Sequence, residues 1–110
     1  MTPTHTLLIG NAHWQFFAYP TAKYKREFGS DSEAICFPQD HQIYFRKPHI
    51  TPETIMHELI HALIASSNTN SSALSSEQTE ELICELIPAY YYELGLWTSQ
   101  LFKIMNAAPS

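Results

Sequence analysis

The segment that most constrains this chain is His57-Glu58-Leu59-Ile60-His61, an H-E-x-x-H motif inside an apolar run. Thr51-Pro52 precedes the run and predicts a helix start, because threonine can accept a hydrogen bond from a first-turn amide. Proline at the first helical position loses no hydrogen bond there. A polar stretch at residues 66–72 ends the pattern. The sequence therefore predicts a helix over residues 52–66.

Two histidines four residues apart lie on one face of a helix, so both imidazoles can bind one metal ion. H-E-x-x-H on a helix is a signature of zinc metallopeptidases. In that chemistry His57 and His61 are zinc ligands, and Glu58 is the general base for metal-activated water. The motif therefore predicts one Zn²⁺ ion and hydrolysis of peptide bonds, although such ligands also suit other divalent ions.

A third metal ligand is expected from outside the motif, because hydrolytic zinc usually has three protein ligands and one water. The next predicted helix, residues 76–94, carries Glu77, Glu80 and Glu81 near its start. Antiparallel packing at about 1.5 Å of rise per residue favours Glu80, which lies deeper than Glu77 and nearer the apolar stripe. Glu77 is the alternative, followed by Glu81, Cys84 or another histidine. Glutamates also stabilise a helix start electrostatically, without any metal.

The first half of the chain predicts a small, mostly antiparallel sheet over residues 6–46. Its strands are expected at four short apolar runs: residues 6–9, 14–19, 33–37 and 42–46. A turn at residues 38–41 joins the last two runs and predicts a hairpin. Residues 21–32 are polar and are predicted to be a loop with at most one helical turn.

The second half of the chain predicts helices. Ser75 or Ser76 begins the helix over residues 76–94, Pro88 is expected to kink or break it, and Gly95 is expected to end it. Residues 96–104 are predicted to be a last strand or helical piece. The whole pattern is that of a single α+β domain over residues 1–110, with the sheet packed on the motif helix and the second helix.

Composition excludes several other classes of protein. The net charge is −5 with six Lys and Arg residues in 110, which argues against nucleic-acid binding. The longest apolar stretch is too short and too polar to span a membrane, and no signal peptide is recognisable. Two cysteines do not form a disulfide framework, so a cytoplasmic location is expected. An aromatic content of 13% leaves room for a homodimer.

The chain resembles small phage- and prophage-type predicted zinc metallopeptidases, relatives of the ImmA/IrrE-like and SprT-like minimal metalloproteases. The resemblance lies in a strand at residues 42–45, the motif helix at residues 54–62, and the acidic start of the next helix at residues 74–82. It implies a minimal gluzincin-like core in which the second helix supplies a glutamate ligand. It also implies a bacterial or phage-infected host cell, and a peptide or protein substrate. Ile83-Cys84 departs from the small residue that the family has after the acidic pair.

Two other interpretations are compatible with the same residues. One is a catalytically weak or inactive zincin-fold binding module with a structural metal site, because a small domain gains much stability from a bound metal. A fourth protein ligand such as Cys84 would favour that interpretation. The other is a metal-free interaction protein in which the motif occurs by accident.

Overall fold

The structure is a computed structural model that describes residues 2–67 and 74–107. Its elements in chain order are β1 (His5–Ile9), β2 (Ala12–Tyr19), α1 (Thr21–Phe28), β3 (Ala34–Phe37), a 3-10 turn (Pro38–Asp40), β4 (Gln42–Arg46), α2 (Pro52–Ser66), α3 (Ser76–Ala89) and α4 (Tyr91–Ala107). A sheet from the first half of the chain and helices mainly from the second half make an α+β fold, as predicted.

The sheet has the strand order β1-β2-β4-β3, so β1 and β3 are its edges. β1 pairs with β2, and β3 pairs with β4, in two antiparallel hairpins, of which the sequence predicts the second. The central pair, β2 and β4, is parallel, and the expectation of an antiparallel sheet is wrong there. The reason is that α1 carries the chain away from β2 before the second hairpin begins, and parallel strands need such a crossover.

The sequence predicts a loop with at most one helical turn at residues 21–32, and this prediction is wrong. Residues 21–28 form α1, a helix of eight residues. Its Tyr24 is fully buried and packs edge-on against Phe28, with 5.1 Å between the ring centroids. Both rings lie against aromatic side chains of the sheet, including Tyr19 and Tyr44. The burial of this pair, four residues apart, stabilises a helix in an otherwise polar segment.

The opposite face of the sheet holds the larger core and supports α2 and α4. Its buried side chains come from alternating strand positions and from the two helices: Ile9, Trp14, Phe16, Ile43, Phe45, Ile55, Leu59, Leu94, Leu101 and Met105. The Trp14 indole Nε1–H donates a hydrogen bond of 2.9 Å to Ser66 Oγ at the end of α2. Gly10 turns the β1–β2 hairpin at φ +61°, and a Cβ there would lie only 3.3 Å from Ser66. These contacts place α2 across the sheet.

The helical half begins as predicted and differs at its end. α2 spans residues 52–66 with Thr51 as its N-cap, and Ser75 caps α3 in a capping box with Gln78. The predicted helix over residues 76–94 is divided at Tyr90, two residues after Pro88. Pro88 lies inside α3 and donates no hydrogen bond to the preceding turn, but Tyr90 N–H still donates to the carbonyl of Leu86. Gly95 lies within α4 and does not end a helix. The stretch at residues 96–104 is helical.

Residues 68–73, which contain most of the predicted polar loop, lie outside the described residues. Among the residues that are described, no helix is both long enough and apolar enough to cross a bilayer.

A short polar turn at residues 47–51 leads from the inner strand β4 to α2, so the motif helix starts beside the β3–β4 end of the sheet.

Candidate metal centre

His57 and His61 lie one turn apart on the exposed side of α2 and point at each other. Their Nε2 atoms are 3.2 Å apart. Two nitrogens bound to one tetrahedral zinc ion at its usual Zn–N length are about 3.3–3.4 Å apart. In the metal-free protein the same distance suits a hydrogen bond between the rings, with the tautomers deciding which ring donates. The chelating arrangement therefore already exists in the helix, and both rings are open to solvent.

Glu58 lies between the two histidines in sequence, and its side chain is buried where theirs are exposed. Its side chain is only 6% exposed, and its Oε2 accepts no hydrogen bond from any residue that the structure describes. Burial raises the pKa of this carboxyl group, and the neighbouring His61 and His57 partly oppose the rise. A buried carboxylate without a partner is costly for stability, so its presence here favours a functional role.

The edge strand β3 forms the other side of the site, because α2 packs against it. Ala34 and Cys36 face the helix, as alternate residues of a strand do, and they pack against the core beneath α2. Burial and the negative charge of Glu58 together raise the pKa of the Cys36 thiol to about 12. Cys36 is therefore a neutral, half-buried side chain beside the motif glutamate.

An open cleft of about 370 Å³ lies between the start of α2 and the start of β3. Six residues line it: Glu33, Ala34, Glu53, Thr54, His57 and Glu58. The hydroxyl Oγ1 of Thr54 donates a hydrogen bond of 2.7 Å to Glu33 Oε2 and joins the strand side to the helix side. The cleft therefore connects one proposed metal ligand and the proposed general base with two further carboxylates.

The glutamates proposed as the third ligand lie on α3, which packs against α2. Glu77 and Glu80 are exposed and line a shallow depression with Glu81, Cys84 and Glu85. Within residues 2–67 and 74–107, no three His, Cys, Asp or Glu side chains come close enough together to hold a metal ion. The structure thus brings His57, Glu58 and His61 together, and the assignment of Glu80, or Glu77, as third ligand stays a prediction.

Sequence reasoning did not single out Glu33, Glu53, Thr54 or Cys36 as residues of the site. One signal was available for Glu53, which precedes His57 by four residues and must share its face of a helix. For Cys36, the alternation of the hairpin strand fixes which side chains share a face, but not which face meets α2. The contact between Glu33 and Thr54 depends on how β3 crosses the helix, and no local pattern encodes that crossing.

The two cysteines should differ strongly in reactivity. With its pKa at about 12 instead of 9.0, Cys36 has far less thiolate at pH 8, whereas Cys84 is exposed. Because a more basic thiolate is also more nucleophilic, we expect alkylation of Cys36 to be slower by roughly 30-fold or more. Iodoacetamide labelling of the folded protein, followed by peptide mass spectrometry, measures both rates. Equal rates at the two sites would show that Cys36 is not shielded as described.

Comparison with known proteins adds no relative. No protein-family model, curated protein or solved structure matches this chain. The similarity to ImmA/IrrE-like and SprT-like metallopeptidases therefore stays a prediction, carried by the motif and the residues around it. Any function has to be derived from the side chains of the chain itself, and the best-defined group among them is the histidine pair with its buried glutamate.

Proposed function

We propose that this chain is a zinc-dependent metallopeptidase with His57 and His61 as metal ligands and Glu58 as general base. The observation that carries the proposal is the pair of exposed Nε2 atoms 3.2 Å apart, next to a buried carboxylate whose Oε2 has no partner among the described residues. This combination has no evident structural purpose, and it suits a divalent cation held beside a proton acceptor.

A bound zinc ion would supply a Lewis acid and lower the pKa of a water molecule. The protein's own residues would do the rest. Glu58 would accept a proton from the attacking water and deliver it to the leaving amine nitrogen. Its burial favours this second step, because the raised pKa makes the protonated form easier to reach. His57 and His61 would fix the position of the ion relative to that carboxyl group.

β3 suits the binding of an extended peptide. It is an edge strand, paired with β4 on one side only among the described strands, and its start lines the cleft. An extended substrate could pair with the other side of β3 through main-chain hydrogen bonds. That alignment would bring its backbone past the start of α2, beside His57 and Glu58.

Several finer assignments belong to the same proposal. The third ligand would be Glu80, or Glu77, both on α3, which packs against α2. The substrate would be a peptide or a protein in a bacterial or phage-infected cytoplasm.

A homodimer would use the exposed aromatic side chains of α4, where Tyr91 and Tyr92 are 76% and 78% exposed. Sedimentation equilibrium measures that association directly.

The test is removal and return of the metal. We expect protein stripped with a chelator to leave a mixture of unstructured peptides intact, and zinc-reloaded protein to cleave them, as read by mass spectrometry. The His57→Ala/His61→Ala double variant, purified in the same way, controls for contaminating proteases and should be inactive with zinc. Cleavage that survives chelation, or no cleavage after reloading, would contradict the proposal.

A further inference from the structure

The cleft beside the motif has a one-sided charge distribution. Three of its six lining residues are glutamates, one is His57, and none is Lys or Arg. Glu33 and Glu53 are exposed and both line the opening, one from the residue before β3 and one from the first turn of α2. An opening lined in this way has a negative potential that attracts a cation.

The basic residues of the chain do not neutralise this cleft. In the part of the chain that the structure describes, the ion pair is Lys25 with Asp31, on the α1 side of the sheet. Arg46 lies on the neighbouring strand β4, and its guanidinium donates to the main-chain carbonyls of Asp31 and Ser32. Glu33 and Glu53 therefore have no ion-pair partner among the described residues.

The Glu33 carboxylate is held in place by hydrogen bonds, and Glu53 lies on the first turn of α2. The main-chain carbonyl of Glu33 accepts a hydrogen bond of 2.9 Å from Arg46 N–H, and its side chain accepts one from Thr54. Glu53 precedes His57 by four residues and therefore lies about 6 Å along α2 from it. Both residues line the same cleft as His57.

The buried Glu58 is a second indication that this cleft binds a ligand. Its side chain is more than nine-tenths buried, it lines the cleft, and its Oε2 lacks a hydrogen-bond partner among the described residues. Two exposed glutamates and one buried glutamate thus line the same opening. The exposed pair, Glu33 and Glu53, can contact a substrate side chain in the cleft.

We propose that the cleft binds a lysine or arginine side chain of the peptide substrate, close to the bond that is cleaved. This inference rests on the proposed function and names the substrate class for the same site. An extended peptide advances about 3.3 Å per residue. A basic residue one or two positions from the cleaved bond can therefore place its ammonium or guanidinium group between Glu33 and Glu53. Their carboxylates would accept charge-assisted hydrogen bonds from it.

Peptide binding to the zinc-loaded Glu58→Gln variant tests the inference without depending on turnover. The probes are two fluorescein-labelled peptides that differ at one position, Lys in one and Met in the other, so that length is matched. We expect the Lys peptide to bind roughly tenfold more tightly at low salt by fluorescence anisotropy. The difference should shrink at high salt, because exposed charges are screened.

Single substitutions in the same background locate the effect. Glu33→Gln and Glu53→Gln should each reduce the preference for Lys by about three- to fivefold and leave binding of the Met peptide unchanged. Glutamine at position 33 can still accept the hydrogen bond from Thr54, so the cleft keeps its shape. Glu27→Gln, on α1 across the sheet, removes the same charge from the protein and should leave the preference intact.

The outcomes separate the inference from the proposed function. Equal binding of the two peptides, or a preference that Glu33→Gln and Glu53→Gln leave intact, would overturn the inference even if the parent protein cleaves peptides. A preference for Lys that depends on both glutamates, in a protein whose zinc-loaded parent cleaves nothing, would support the cation site and overturn the peptidase. A preference equally reduced by Glu27→Gln would indicate net charge alone and would overturn the inference.

Discussion

Glu58→Gln should abolish peptide cleavage and leave zinc binding in place. Glutamine keeps the size of the side chain but cannot take a proton from water at neutral pH, and the loss of a general base typically lowers kcat by about 10²–10⁴-fold. Replacing a buried carboxylate that lacks a partner also removes a desolvation cost. The variant should therefore be at least as stable as the parent. Cleavage rates, zinc content and thermal unfolding measure the three effects.

The matched control is Glu53→Gln, which removes a carboxylate from the same cleft without touching the proposed proton acceptor. It should keep most of its activity on peptides that lack basic residues. If Glu58→Gln cleaves as fast as the parent, Glu58 is not the general base. If it loses zinc together with activity, Glu58 serves the metal site and its role in proton transfer is not separable from binding.

His57→Ala and His61→Ala should each remove most of the zinc affinity and the stabilisation that zinc provides. For the parent, zinc at 100 times its dissociation constant contributes about 2.7 kcal/mol to the free energy of unfolding. For a chain of this size that corresponds to a rise in Tm of roughly 10 °C. We expect neither variant to show this rise. Differential scanning calorimetry with and without zinc, alongside metal analysis, measures it.

His49→Ala is the matched control for the histidine variants, because His49 is an exposed histidine in the turn before α2. It should bind zinc and respond to it as the parent does. If His57→Ala and His61→Ala keep the metal content and the zinc-dependent Tm of the parent, the pair is not a metal site. Both side chains are exposed, so neither substitution is expected to prevent folding in the absence of zinc.

Local signals in the sequence were sufficient for the motif helix, for the strands and for the β3–β4 hairpin. Thr51-Pro52 marks the start of α2, the motif spacing places His57 and His61 on one face, and alternating apolar residues mark the strands. These features depend on neighbours within about four residues along the chain. Each of them therefore has a pattern that can be recognised without knowing the rest of the fold.

Features that depend on distant contacts were not predictable in the same way. The parallel pairing of β2 with β4 follows from the crossover through α1. That helix was not predicted, because most of its residues are polar and the packing of Tyr24 and Phe28 against the sheet depends on distant residues. The cleft between Glu33 and Thr54 follows from the packing of α2 on β3, which involves residues 21 positions apart. The predicted ligand on α3 depends on how that helix packs beside α2. The spacing of apolar residues within one helix does not determine this packing.

The hydrogen bond between Trp14 and Ser66 gives this protein an internal optical reporter. Trp14 is fully buried in the β1–β2 hairpin, and its indole N–H is held by the last residue of the helix that carries the histidine pair. Indole emission depends on solvent contact and on what the ring nitrogen donates to. Any tilt or fraying of that helix on loading the site will therefore change the fluorescence of a residue 52 positions away along the chain.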